Sequence, residues 1–255
     1  SVFQLVYARS RNGPRGGVSA ARDQGIRAAD ADIIYLLDDD DEFLPARFVA
    51  SLPLYQDGRY DALLEPSLRV YLREPGRQPF VTGPNGQWSD AFNMLMNGGP
   101  ETHVTPGATS FRKELYLAAG GFNQTLKFAE DSDLLVRLCL HGRVGLLAGS
   151  PVVRYAIHDD NTSRPDRLAL WQNMKSLCAT YRYIRAGHWD RERRIVGRSL
   201  AGKLDFTLTK ARLSCPSYRE RITVGLRAMA YFDWRCLTAQ NLRSIAVWLF
   251  RRQCV

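Results

Sequence analysis

The order of apolar and polar positions along the 255 residues predicts alternating strands and helices. Phe3-Gln4-Leu5-Val6-Tyr7 reads as a short strand, and Gly13 to Gly17 as a loop, because Gly and Pro punctuate regular structure. From Val18 onward, Val18, Ala21, Gly25 and Ala28/Ala29 recur at helical spacing. Ile33 to Leu37 is a continuous apolar run, the pattern of a strand covered on both faces in a parallel sheet. Strand, loop, helix and strand together make a βαβ unit, so an α/β fold is expected. Pro45 to Leu54 then reads as a helix and Tyr60 to Leu72 as strand material. Residues 73–107, rich in Gly, Pro and Asn, read as a substrate loop outside the core. Thr109 to Phe111 leads into a helix near Lys113 to Ala119, ended by Gly120-Gly121. A second helix is predicted from Asp131 to His141, with Leu134, Leu135 and Leu138 inward and Gly142 in the C′ position. Arg143 to Leu147 and Pro151 to Ile157 are β-type.

After Pro165 the pattern changes. Val196, Leu200, Leu204 and Leu208 repeat every four residues among basic residues. Pro216 marks a further helix start, and Leu242, Ile245, Ala246 and Leu249 form a last stripe. Two regions are therefore expected: residues 1–164, a globular α/β domain, and residues 165–255, a basic amphipathic helical extension.

Charge sharpens this division. Asp166 to Val255 holds 18 Lys/Arg against 6 Asp/Glu, a net of +12, whereas the whole chain is +9, leaving −3 for residues 1–165. A basic tail of this kind suits anionic lipid, nucleic acid or an acidic glycan, or is simply a solvated helical face. Basic charge without a reader motif does not make a nucleic-acid protein, and nucleic acid is not expected as a partner. The five cysteines (Cys139, Cys178, Cys215, Cys236, Cys254) show neither a CxxC pair nor a disulfide framework, which suits free thiols in a reducing compartment. The longest apolar stretch near the end, Ile245 to Phe250, is far too short for a membrane span. The chain starts at Ser1 without a signal-peptide pattern, and the missing initiator Met points to a processed chain or a fragment.

The first chemically informative feature is Asp38-Asp39-Asp40-Asp41-Glu42, directly after the buried strand. Adjacent carboxylates repel one another, and ligands of open α/β sheets bind at the carboxyl ends of strands. If the backbone stays extended, Asp38 and Asp40 point the same way. Two hard oxygen ligands with substrate phosphates form a typical Mg²⁺ or Mn²⁺ site. A solvated turn or an acid-rich helix start is the other reading. Glu130-Asp131, read alone, is an acidic helix N-terminus. His158, after a strand, is on its own an ordinary surface or core histidine, and His103, His141 and His188 have no suggestive context.

In combination these segments resemble a known family. Gly16-Gly17-Val18-Ser19-Ala20-Ala21-Arg22-Asp23, then Leu36-Leu37-Asp38-Asp39-Asp40-Asp41-Glu42-Phe43-Leu44-Pro45, looks like the family 2 glycosyltransferases with the GT-A fold. Gly120-Gly121-Phe122 followed by Glu130-Asp131-x-Asp133-Leu134-x-x-Arg137 resembles that family's second motif. The resemblance implies a GT-A-like, Rossmann-related mixed sheet flanked by helices. It also implies that Arg22, Asp38, Asp39 and Asp40 face a nucleotide sugar. Asp38 would lie by the ribose, Asp40 on a Mn²⁺ or Mg²⁺ ion bridging the diphosphate, and Arg22 against the nucleotide. Asp131 would be the general base, with Glu130 on the acceptor side. The family commonly carries a His-x-x-Asn/Ser-x-Ser sequence where His158 stands, which makes His158 a metal or phosphate contact. Asp23 stands where the family usually has Asn.

A single base opposite a metal-held diphosphate implies transfer with inversion at the anomeric carbon. The implied partners are a nucleotide-sugar donor and a glycan or lipid-linked acceptor of surface polysaccharide synthesis. The implied location is the cytoplasm, peripheral on the inner face of the membrane through the basic helices. The family's first strand and its Asp-Asp strand find no counterpart, because Ser1 to Tyr7 corresponds to the strand after them. The Gln-x-x-Arg-Trp signature of processive synthases is also absent, so transfer of one or a few sugars is expected. The other class consistent with the sequence is a non-catalytic glycan- or partner-binding relative that retains the acceptor half of the fold.

Overall fold

The computed structural model describes residues 17–74, 76–158, 161 and 167–199, with the side chains of 167–174 left out. The chain divides into two compact units, Ser1–Thr162 and Ser163–Val255. In the first unit the elements run α1 (Gly17–Ala28), β1 (Ile33–Tyr35), β2 (Glu42–Phe43), α2 (Ala46–Gln56), β3 (Ala62–Leu64), β4 (Ser67–Tyr71) and β5 (Phe80–Thr82). They continue with α3 (Ala91–Asn97), β6 (Thr109–Arg112), α4 (Lys113–Ala118), α5 (Glu130–His141), β7 (Val144–Leu146) and β8 (Val153–Ile157). Of the second unit, α6 (Arg167–Ala186) and residues 190–199 are helical. There the Tyr183 ring stacks on Trp189 with centroids 5.7 Å apart. The predicted strand Phe3–Tyr7, the loop before Gly17, the helix start at Pro216 and the Leu242–Leu249 stripe lie outside the described residues, as does most of the Val196–Leu208 repeat.

Two four-stranded mixed sheets carry the first unit, ordered β1-β6-β3-β7 and β2-β8-β4-β5. The fold is α/β, as the alternation of patterns implied. The Ile33 to Leu37 run is not flanked by parallel neighbours among the described residues, however. β1 pairs antiparallel with β6, Ile34 opposite Phe111, and β6 pairs antiparallel with β3. Among the described residues only β3–β7 and β4–β8 are parallel. The strand also ends at Tyr35. Ile34 and Leu36 are buried while Leu37 is 46% exposed, so the apolar run overstated the strand.

The core gathers on β3 and β6. Ala62, Leu63 and Leu64 are fully buried, as is Phe111, whose ring stacks on Tyr116 of α4 at 5.5 Å. Leu134, Leu135 and Leu138, spaced to form one stripe of α5, pack into the same cluster. Each such side chain removed from water contributes roughly 1.5–3 kcal/mol. The expectation for residues 73–107 needs correction. The segment includes β5 and α3, and Ala91, Phe92, Met94 and Met96 of α3 are buried. Asp90 caps α3 by accepting the Asn93 backbone N–H at 2.7 Å. The flanking Gly, Pro and Asn residues obscured a seven-residue helix that carries core.

Gly142 follows α5 as expected, but with extended backbone (φ −155°) and not the left-handed cap. The position demands glycine for another reason. A Cβ there would come within 2.7 Å of the Leu115 side chain. Cys139 and Cys178, the described cysteines, are free thiols. Among the described residues no helix is long and apolar enough to cross a membrane.

Candidate active site

The acidic run after β1 forms a turn, not extended backbone: the Asp41 N–H donates to the Asp38 carbonyl at 3.2 Å. The turn fans the carboxylates apart, which relieves their repulsion and gives most of them a separate partner. Asp38 Oδ1 accepts from Arg22 Nη2 at 2.5 Å. Asp40 Oδ2 meets His158 Nε2 at 2.8 Å, and Asn161 Nδ2 lies 3.5 Å from the same oxygen. Asp41 Oδ1 accepts the backbone N–H of Ala156 at 3.0 Å, while its Oδ2 is buried with no partner among the described residues. Asp39 is exposed. Burial pushes the Asp41 carboxyl up to about 6, with the Asp40 and Asp38 charges adding and the Ala156 hydrogen bond opposing. The picture of Asp38 and Asp40 aligned by strand alternation therefore gives way to a turn that aims them at different neighbours.

Arg22, projecting from α1, joins this turn to the second acidic segment. Its Nη1 donates to Glu130 Oε1 at 3.2 Å while Nη2 holds Asp38. Glu130 is 8% exposed at the start of α5. Burial raises its pKa, the neighbouring Asp131 charge adds to this, and Arg22 opposes it. The cap of α5 is Ala129, in the left-handed region (φ 56°) and without a side-chain cap bond. Glu130, Asp131 and Asp133 follow in the first turn, where the helix dipole favours negative charge. A non-glycine residue in that region is strained, and the strain falls directly before the two carboxylates. Asp131 is half-buried, and its Oδ1 accepts the Ser132 N–H at 2.7 Å. Asp133 works differently: buried, it binds Arg137 at 2.7 Å, and Arg137 in turn donates to the Ala119 carbonyl at 2.5 Å. This pair braces the turn ahead of Gly120-Gly121.

The same turn explains Asp23. Its Oδ1 accepts the Tyr116 hydroxyl at 2.6 Å and its Oδ2 accepts Arg27 Nε at 2.8 Å, while Tyr116 Oη accepts the Phe122 N–H at 3.0 Å. Asp23 is thus a tie between α1, α4 and the Gly-Gly-Phe turn. Gly121 (φ +68°) leaves room for it, since a Cβ there would lie 3.0 Å from both Asp23 Oδ1 and the Tyr116 hydroxyl.

Two residues that the sequence did not single out complete the neighbourhood. Arg69 on β4 donates through Nε to Thr82 Oγ1 at 2.9 Å and through Nη2 to His103 Nδ1 at 2.8 Å. Burial lowers the Arg69 pKa, against the charges of Asp41 and Asp131 among others. One guanidinium therefore feels both Asp41 of the strand-end turn and Asp131 at the start of α5. No local motif announces Arg69, because its role depends on β4 lying beside β8 and on the loop that brings in His103.

Asp40 and His158 form a convergent oxygen–nitrogen pair of the kind a divalent cation accepts. Among the described residues no group of three or more His, Cys, Asp or Glu side chains gathers to hold a metal. A divalent cation at this pair would have to take the rest of its shell from substrate phosphates and water, as Mg²⁺ and Mn²⁺ commonly do.

A turn of carboxylates after a strand, bridged by an arginine to a second acidic pair at a helix start, lies on two mixed sheets with flanking helices, an α/β fold of the GT-A-like kind. Residues 7–117 match the family model for Glycosyl transferase family 2. Among solved structures, Staphylococcus aureus TarS 1-349 in complex with UDP-GlcNAc superposes with a TM-score of 0.60 at 14% identity, covering 92% of this chain and 71% of that one. The same protein in complex with UDP gives 0.58 at 15% identity, covering 92% and 70%. At such identities the likeness is one of fold. No curated protein sequence matches the chain.

Proposed function

We propose that the chain transfers a sugar from a nucleotide-sugar donor to a hydroxyl of a glycan or lipid-linked acceptor, with inversion and with a divalent cation, in surface polysaccharide synthesis. The observation that carries this reading is the Arg22 bridge. It ties the turn holding Asp38 and Asp40 to the helix start holding Glu130 and Asp131, within a family 2 framework.

A sugar hydroxyl attacks poorly until a positioned carboxylate accepts its proton, and Asp131 is the group for that step. Arg22 and Asp38 face the nucleotide, and Glu130 lies on the acceptor side. Asp40 and His158 would hold a Mn²⁺ or Mg²⁺ ion, which when bound offsets the charge developing on the departing diphosphate. With Asp131 as the base, a direct displacement needs no second carboxylate as nucleophile, and such a displacement inverts the anomeric carbon. UDP-GlcNAc, the ligand of one structural neighbour, is the first donor to test. The +12 balance of Asp166 to Val255 supports a peripheral seat on the anionic inner face of the cytoplasmic membrane.

The test is a screen of sugar nucleotides with Mn²⁺, followed by variants. Asp131→Ala is expected to lower kcat by about 10²–10⁴-fold, and Asp40→Ala to abolish the metal requirement together with turnover. Full activity in excess chelator would remove the metal from the proposal, and full activity of Asp131→Ala would remove the base.

A further inference from the structure

Arg69 and His103 are not absorbed by the donor side of the site. A guanidinium only donates hydrogen bonds, so the 2.8 Å contact between Arg69 Nη2 and His103 Nδ1 requires Nδ1 to be the acceptor. The proton of the neutral ring is then on Nε2. Arg69 itself is held from two sides. Thr82 Oγ1 accepts its Nε, Thr82 is paired with Ser67 Oγ at 3.1 Å, and the guanidinium carbon lies 4.7 Å from the centroid of the Tyr155 ring. The tautomer is thus set by a fixed partner and not by solvent.

His103 is accessible to solvent, yet burial among surrounding atoms is the largest influence on its pKa, which is lowered. The Arg69 charge works in the same direction, and the Asp131 charge works against it. Arg69 stands opposite Tyr155 in the β4–β8 register, next to Ala156, whose N–H is held by Asp41, so the ring it fixes lies on the side of the strand-end turn. Along β4, Tyr71 falls on the same face as Arg69, and its ring meets that of Phe80, 42% exposed, with centroids 6.0 Å apart. The Arg77 guanidinium covers one face of Tyr71 at 3.8 Å, and the exposed Phe80 ring leaves apolar surface that suits the C–H faces of a sugar or another polyol.

We propose that His103 positions the acceptor. Its Nε2–H hydrogen-bonds a hydroxyl of a polyhydroxylated acceptor, and Arg69 holds the ring in the tautomer that makes this possible, so that the attacking hydroxyl is presented to Asp131. This inference rests on the glycosyl-transfer reading above and names the side of the site that binds the acceptor.

Two substitutions separate the two ring nitrogens. His103→Asn keeps an acceptor oxygen near the place of Nδ1 but loses the far donor, whereas His103→Gln keeps a donor near the place of Nε2. With UDP-GlcNAc, Mg²⁺ and methyl β-D-glucopyranoside as acceptor probe, His103→Asn is expected to raise the acceptor KM about tenfold. The kcat should change far less, and UDP affinity should match wild type. His103→Gln should stay within about threefold of the wild-type KM. Nitrogen-15 NMR of labelled histidine in the full chain, assigned by the signal missing from His103→Asn, should show the Nε2–H tautomer and a shift of that signal on adding the glucoside. In Arg69→Met the ring should become a mixture of tautomers. A wild-type KM in His103→Asn, an Nδ1–H ring, or a signal that ignores the glucoside overturns the inference. A wild-type chain that turns over no sugar nucleotide instead sinks the transfer reading, while the NMR result still decides the role of His103.

Discussion

Replacing Arg22 by methionine keeps most of the aliphatic stem and removes a cation that bridges the two acidic segments. Three interactions go with it: the 2.5 Å contact to Asp38, the 3.2 Å contact to Glu130, and the approach of the guanidinium to 5.9 Å from the Phe122 ring centroid. A hydrogen bond to a charged group is worth about 1.5–3 kcal/mol. The Asp38 carboxylate is 28% exposed and regains water when released, so its share falls toward the low end. The Glu130 side chain is only 11% exposed and stays beside Asp131 without compensation. The combined cost is therefore expected at roughly 2–4 kcal/mol, a large part of an ordinary domain's stability.

Urea unfolding at pH 7 of wild type, Arg22→Met, Glu130→Gln and the double variant measures both the cost and the coupling. About 1–2 kcal/mol of the Arg22→Met loss should vanish when Glu130 is already neutral. A loss below about 0.5 kcal/mol, the range of ordinary surface changes, would refute the bridge as a determinant of the site. Additive single-variant effects would refute the Arg22–Glu130 link in particular.

Three further outcomes are expected. Arg47, fully buried on α2, pairs with the equally buried Glu65 and donates to the Thr109 carbonyl at 2.9 Å; Arg47→Met strands the Glu65 charge and should cost about 3–5 kcal/mol in denaturant unfolding, with much of the loss recovered in Arg47→Met/Glu65→Leu. Gly121→Ala should lower the melting temperature more than Gly120→Ala does. Both carry positive φ and its strain of about 1–2 kcal/mol, but only at Gly121 does the added Cβ press on Asp23 and Tyr116. Asp61 accepts from the Arg143 N–H at 2.9 Å and from its side chain at 3.2 Å; burial raises its pKa, but these bonds and the Arg143 and Arg112 charges outweigh it and leave the carboxyl below its ordinary 3.8. Because the folded pKa is depressed, the stability advantage of wild type over Asp61→Asn should be full above pH 4 and disappear as pH falls through the folded value, read from thermal melts across pH 2–7.

Local pattern was enough for the elements whose signal lies within a few residues. The helix at Gly17–Ala28, the strand before the acidic run, and the α5 stripe of Leu134, Leu135 and Leu138 follow from periodicity, because burying one face fixes the spacing of apolar positions. The acidic residues themselves were legible, since five adjacent carboxylates after a strand carry a cost that structure must offset. What each carboxylate does was not legible. Asp38 to Arg22, Asp40 to His158 and Asp41 to the Ala156 backbone are contacts between segments 16 to 118 residues apart. Chain reversal decides them, and no period along the chain encodes it.

The same division separates the residues noticed from those missed. Composition and spacing by themselves determined an α/β framework, a basic second region and two acidic motifs, because these depend on patterns that a chain carries unfolded. Tertiary structure alone decided that β1 pairs antiparallel with β6, that α3 carries core, and that Asp23 ties three elements together. It also decided that Arg69 and His103, 34 residues apart, meet. Sheet order and loop path bring such groups within hydrogen-bond reach, and neither is written into the neighbours of the residues concerned.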